Sequence, residues 1–140
     1  MSKGGVVEFG AGFALRLSGE PEQAGTLAAD LERRFPEDTT FRTAYVPVLR
    51  ALIALGRQDP ARAIGELEPA GTYELAFLAG HEGFNGSMYA VYMRGLAYLE
   101  QHKGLEAAAE FEKVLKHRGI VLYDPIGAVC TVTLSRRLMC

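Results

Sequence analysis

One spacing recurs three times along this chain. Gly12, Leu15, Ala24 and Ala28 form the first copy, Ala51, Ala54, Ala63 and Leu67 the second, and Gly95, Tyr98, Ala107 and Phe111 the third. The steps are three, nine and four residues in each copy. Self-similarity of this kind marks stacked helical hairpins, each too small to bury its apolar face alone. The pattern therefore predicts an all-α chain and points to a binding scaffold.

Composition narrows the field. A chain of 140 residues fits one domain and can bury about two-thirds of its unfolded surface. Charge is balanced, 15 Lys and Arg against 17 Asp and Glu, so no basic excess exists to hold a nucleic-acid backbone. Cys130 and Cys140 form neither CxxC nor any metal-ligand spacing, which predicts no disulfide framework and a reducing cytoplasm. The start lacks the basic and apolar blocks of a secretion signal, and apolar runs such as Ala51 to Leu55 are too short for a membrane span.

Capping and breaking residues divide the chain. Residues 1–5 read as a loose start, and residues 6–140 as one domain. Apolar residues at 6, 9, 13 and 17 predict a first helix over Val6 to Ser18, broken by Gly19. A second runs from Gln23 to Phe35 and stops at Pro36. Asp38, Thr39 and Thr40 are N-cap candidates for a third, Phe41 to Leu55, which Pro47 should kink or delay. Asp59-Pro60 opens a fourth that runs to about Glu68. Residues 70–87 are irregular, with a short helix at Tyr73 to Leu78. Further helices cover Met88 to Gln101 and Leu105 to Lys116, with Gly119 as a C-terminal cap. Ile120 to Tyr123 reads as an extended connection, and Asp124-Pro125 opens a seventh helix that runs to the end.

The third unit, Met88 to Gly119, resembles a tetratricopeptide repeat. Gly95, Tyr98, Ala107 and Phe111 fill the family's small, aromatic, alanine and second aromatic places; in the first unit Gly12, Leu15 and Ala24 stand at the first three places, and Pro36 at the proline that ends the family's second helix. The resemblance implies a right-handed superhelix of antiparallel hairpins, about seven helices in all. The repeats span about 6–37, 41–70 and 88–119, with an unpaired C-terminal helix at 125–140. The period of 39 and then 44 residues, read from Ala24 to Ala63 to Ala107, exceeds the family's usual length, and no tryptophan is present. Arg33 to Thr39, Tyr73 to Leu75, Arg94 to Leu99 and His117 to Val121 are also similar to the C-terminal repeat region of bacterial signalling proteins. Those proteins carry a serine/threonine kinase or winged-helix domain upstream. The resemblance implies a stand-alone relative or a segment of such a regulator.

Candidate chemistry is sparse. Phe9-Gly10-Ala11-Gly12 imitates a dinucleotide fingerprint, but Leu15 stands at the third glycine and no strand-helix alternation follows. His117-Arg118-Gly119 lacks the aspartate of a kinase catalytic loop. His81, His102 and His117 show no ligand spacing. No catalytic residue, metal site or cofactor is expected.

The register instead predicts a concave face: Phe9 and Phe13, then Tyr45, Val48 and Leu52, then Tyr89, Tyr92 and Leu96. Arg50 and Arg94 each stand one residue before the small position, either facing the groove or an internal carboxylate such as Glu74, or packing the stem with the head in water. An apolar and aromatic face of that size implies an occupant: a peptide, a helix, a second protomer docking through the C-terminal helix, or the chain's own 70–87 insertion. The expected activity is protein–protein interaction in a bacterial cytoplasm, without nucleic acid or membrane. A ligand pocket around Tyr45, Tyr73, Tyr89 and Tyr92 is the rival reading.

Overall fold

Caps and prolines account for where each helix begins. The computed structural model describes residues 8, 10–12, 14–15, 18–75, 86–121 and 126–138, and every regular element among them is helical. Residues 8, 10–12, 14 and 15 are helical and form α1. Helix α2 is Pro21–Arg34, with Pro21 in its first turn, where a missing N–H costs nothing. The Asp38 carboxylate accepts from the backbone N–H of Thr40 at 2.9 Å and of Phe41 at 3.3 Å, which starts the next segment. That segment is a π-helical turn, Phe41–Tyr45, running directly into α3, Val46–Gly56. Pro47 explains the widened turn: its ring would clash with the carbonyl one α-helical turn earlier, and the Val46 N–H reaches back five residues to the Phe41 carbonyl instead. The chain stays helical through Pro47, and regular α-helical geometry starts at Val46, five residues later than the Phe41 expected.

Asp59 caps α4, Pro60–Glu66, accepting from the Arg62 N–H at 3.0 Å. The α-helix ends at Glu66, short of the Glu68 expected, because Pro69 leads the chain into a 3-10 turn at Glu68–Ala70. Residues 71–75 form turns where a helix from Tyr73 was expected, and 76–85 lie outside the described residues. Helices α5, Gly86–Glu100, and α6, Gly104–Lys116, follow.

Ile120 and Val121 are not extended: they belong to a one-turn helix α7, Arg118–Val121, closed by N–H donation from both to the His117 carbonyl at 2.9 and 3.2 Å. Gly119 therefore sits inside a helical turn, and His117 is the cap of α6. β-branched side chains favour strands only where a neighbouring strand packs on them. Here Val121 is instead buried, next to Gly127 on α8, Ile126–Leu138. With α7 counted, the described residues hold eight α-helical segments rather than about seven.

The three hairpin turns share one backbone solution. Gly19, Gln58 and His102 have φ of 90°, 60° and 59°, each five residues before the buried alanine of its unit. After each, a backbone N–H bonds back six residues inclusive: Glu20 to Leu15 at 2.8 Å, Asp59 to Ala54 at 3.0 Å, Lys103 to Tyr98 at 2.9 Å. These are left-handed helix ends of the Schellman type, whose favoured residue is glycine. Gln58 and His102 hold that conformation against their own Cβ. Replacing His102 with Gly should stabilise the fold by about 1 kcal/mol and raise Tm by about 3–5 °C, read by thermal denaturation. No gain would mean that the turn is not formed in solution.

The register is also what the core buries. Ala24, Ala63 and Ala107 are all 0% exposed, and Ala28, Leu67 and Phe111 are 2%, 0% and 1%. In sequence order, α2 packs on α3, α3 on α4, α4 on α5, α5 on α6 and α6 on α8; along a second line α3 packs on α5, and α5 on α8. Gly12 brings α1 within reach of Leu49 on α3 and Leu27 on α2. One apolar cluster runs from Ala28 and Leu31 through Phe111 to Cys130.

Candidate functional site

Of the six described apolar residues of the expected concave face, four are buried in the protein's own core. Tyr45 and Val48 are 1% and 0% exposed, and Leu52 and Tyr89 are buried with them. The π-turn carrying Tyr45 packs on α5 and under the Glu68–Ala70 turn. Phe35 stacks on Phe41 with centroids 4.4 Å apart, and Phe41 meets Tyr45 edge-on at 5.2 Å. These residues pack α3 and its π-turn against α5 and the neighbouring turns. Phe9 and Phe13 lie outside the described residues. The four tyrosines of the rival pocket do not share one setting. Tyr45 and Tyr89 are in the core, Tyr73 is 40% exposed, and Tyr92 is half-buried against Phe111 at 5.8 Å. Burial raises the Tyr92 phenol, partly offset by its hydrogen bond with Thr133.

The two arginines part company. Arg94 is largely enclosed and meets two carboxylates, Glu74 at 2.5 Å and Glu110 at 2.8 Å; Lys113 reaches Glu74 at 2.8 Å and Glu110 at 3.6 Å. Burial alone would raise the Glu74 carboxyl, but the hydrogen bonds from Lys113 and Arg94 outweigh it and hold it below the usual range. Two cations and two carboxylates cancel, so the cluster fastens the 71–75 turn to α5 and α6. Arg50 occupies the same register place in the second unit. It pairs with Glu32 at 2.5 Å and Glu66 at 3.9 Å, in a setting open to water.

Of the expected apolar residues, Leu96 reaches a surface groove. It lies between α5 and α8, has a volume of about 570 Å³, and is lined by Leu96 and Leu99 on one side and Ala128, Val129, Val132, Thr133 and Arg136 on the other, so it is apolar along its length with one cation at its wall. Ile126, Cys130 and Leu134 turn to the core one helical step apart, which leaves Val129 and Val132 at 42% and 51% exposure. Thr133 donates to the Val129 carbonyl at 2.8 Å, so its hydroxyl adds little polarity to the groove. Burial pushes the Cys130 thiol up to about 12, so no reactive thiolate forms there. No group of three His, Cys, Asp or Glu side chains able to hold a metal comes together among the described residues.

No protein-family model matches the chain, and neither does any curated protein or solved structure. The groove on α8 was missed in the sequence because α8 is apolar on more than one side. The alternation of Ile126, Cys130 and Leu134 with Val129 and Val132 was the available signal. No helix among the described residues is long and apolar enough to cross a membrane.

Proposed function

We propose that this chain is a tetratricopeptide-like interaction module that binds without catalysis, and that the groove between α5 and α8 receives an apolar helix, in the first instance from a second copy of the chain. The observation that carries the reading is the pair of exposed valines, Val129 and Val132, facing Leu96 and Leu99 across that groove. Two helices offering apolar side chains along a shared furrow fit a third helix in helix-in-groove fashion. The repeated hairpin turns and the shared buried register support the repeat assignment. A bacterial cytoplasmic setting, alone or attached to a kinase or transcriptional regulator, belongs to the same proposal and rests on the sequence resemblance.

Ile126 does not belong to the docking face. At 2% exposure it is core, and Ile126→Asp would unfold the helix rather than test binding. The informative variant is Val129→Asp with Val132→Asp. Light scattering should give the wild type about twice the 15.2 kDa chain mass, and the variant one chain mass with unchanged helicity. A monomeric wild type that retains no protein from lysate beyond what the variant retains would end this reading.

A further inference from the structure

The internal repeat places two equivalent clefts in one molecule, and the chain itself occupies one of them. In the later cleft, between α4, α5 and α6, Glu74 delivers its carboxylate to Arg94 beside Glu110. Large side chains, Ile64, Leu67 and Tyr98, stand at the places that the register assigns in the earlier cleft to Gly25, Ala28 and Ala54. Arg50 and Glu66 are the equivalents of Arg94 and Glu110. The earlier cleft, between α2, α3 and α4, is therefore a hollow of about 400 Å³ floored by small residues with Arg50 at its wall.

We infer that this cleft binds an extended peptide segment carrying a glutamate, with the carboxylate on Arg50 and a neighbouring apolar side chain over Gly25, Ala28 and Ala54. Three observations support this occupant over a neutral or basic one. Glu74, flanked by Tyr73 and Leu75, fills the equivalent place within the same chain. The lining carries three arginines, Arg50, Arg57 and Arg62, against two acids, Asp59 and Glu66; Asp59 caps α4, Arg62 pairs with Glu66 at 3.5 Å and Arg57 with Glu22 at 2.9 Å, and the balance of the lining is positive. Arg50's close partner is Glu32, which is half exposed, with Glu66 farther off at 3.9 Å; an open pair like that with Glu32 contributes little and exchanges readily for an incoming carboxylate. A planar guanidinium receives a carboxylate in a fixed fork, so the site reads Glu over Gln.

The test uses the full chain and a fluorescein-labelled peptide with the sequence of residues 71–76, Gly-Thr-Tyr-Glu-Leu-Ala, followed by anisotropy. Saturable binding is expected, weakened at least about tenfold when the peptide carries Gln for Glu, and equally by Arg50→Ala. Ala29→Leu should abolish it by filling the hollow. Gly25→Leu should do the same, and a Cβ there meets nothing closer than Ile53 Cδ1 at 3.8 Å, so that variant is expected to fold. Amide shift changes on the wild type should centre on Gly25, Ala28 and Ala54 whether or not the variants fold. Absence of saturable binding up to about 1 mM would overturn the inference. So would binding that both filled-cleft variants retain, or shifts centred on Arg94, since these would place the peptide in the cleft that Glu74 already occupies.

Discussion

Phe111→Ala is expected to lower stability by about 3–5 kcal/mol, a large share of the margin of a domain this size, with the urea midpoint falling and the slope unchanged. The ring is 1% exposed and joins α5 to α6 at the fourth register position of the last unit. Its bed is Gly95: a Cβ there would lie 2.5 Å from Phe111 Cε1 and 2.8 Å from Cζ, closer than carbon atoms approach. The contact makes a second measurement decisive. In the wild type, Gly95→Ala should destabilise by about 1–3 kcal/mol because the ring cannot yield. In the Phe111→Ala background the clash is gone, and the same substitution should stabilise by about 1 kcal/mol through helix propensity alone. Reversal of sign belongs to the contact, since propensity acts alike in both backgrounds. Destabilisation in both would mean that Gly95 is kept for a reason other than the ring.

That pair of residues was legible in the sequence, as were the other small and apolar places in the register. A close helix pair demands a small residue on one helix and fills the space from the other, and this demand leaves a fixed spacing. The caps Asp38 and Asp59 were legible for a similar reason: the side chain that ends the orphan N–H groups must sit beside them in sequence. The π-turn was half legible. Pro47 announces trouble one turn before itself, but whether the helix breaks, kinks or widens depends on what the turn packs against. Here Phe35 stacks on Phe41 and Phe41 meets Tyr45 edge-on, so the widened turn is packed by three aromatic rings. Gln58 and His102 gave no signal, because a left-handed turn signals itself only when glycine occupies it, as at Gly19.

The candidate face was the least legible part. Periodicity tells which side of a helix is apolar, and it says nothing about whether another element already covers that side. Tyr45, Val48, Leu52 and Tyr89 satisfy the period of a binding face and are consumed by α3 packing on α5 and by the turn over Tyr45. Leu96 escapes that fate because the helix that follows it in the stack, α8, turns Ile126 and Cys130 inward and leaves its valines beside the groove. Arg50 and Arg94 carry the same lesson in charge. Identical register places gave identical expectations, and the long insertion after the second unit supplies Glu74 to one of them alone.

Arg94→Ala should therefore cost far more than Arg50→Ala. Removing Arg94 leaves Glu74 and Glu110, whose side chains are 14% and 15% exposed, sharing Lys113 as their remaining cation. Loss of one partner from a buried pair costs about 3–5 kcal/mol, and the surviving lysine should reduce this to about 2–3 kcal/mol. Arg50 faces water with Glu32, and its loss should cost less than about 1 kcal/mol. Acid separates this account from simple loss of packing. Glu74 has a folded-state value below the ordinary 4.5, so its contribution is fully present above pH 4.5 and is lost as pH falls through the depressed value. Urea midpoints of the wild type and Arg94→Ala should lie far apart at pH 7 and draw together below pH 4.5, while Glu74→Gln should flatten that part of the wild-type pH profile. A gap that stays constant into acid would assign the effect to the arginine's packed stem, because methylenes do not titrate.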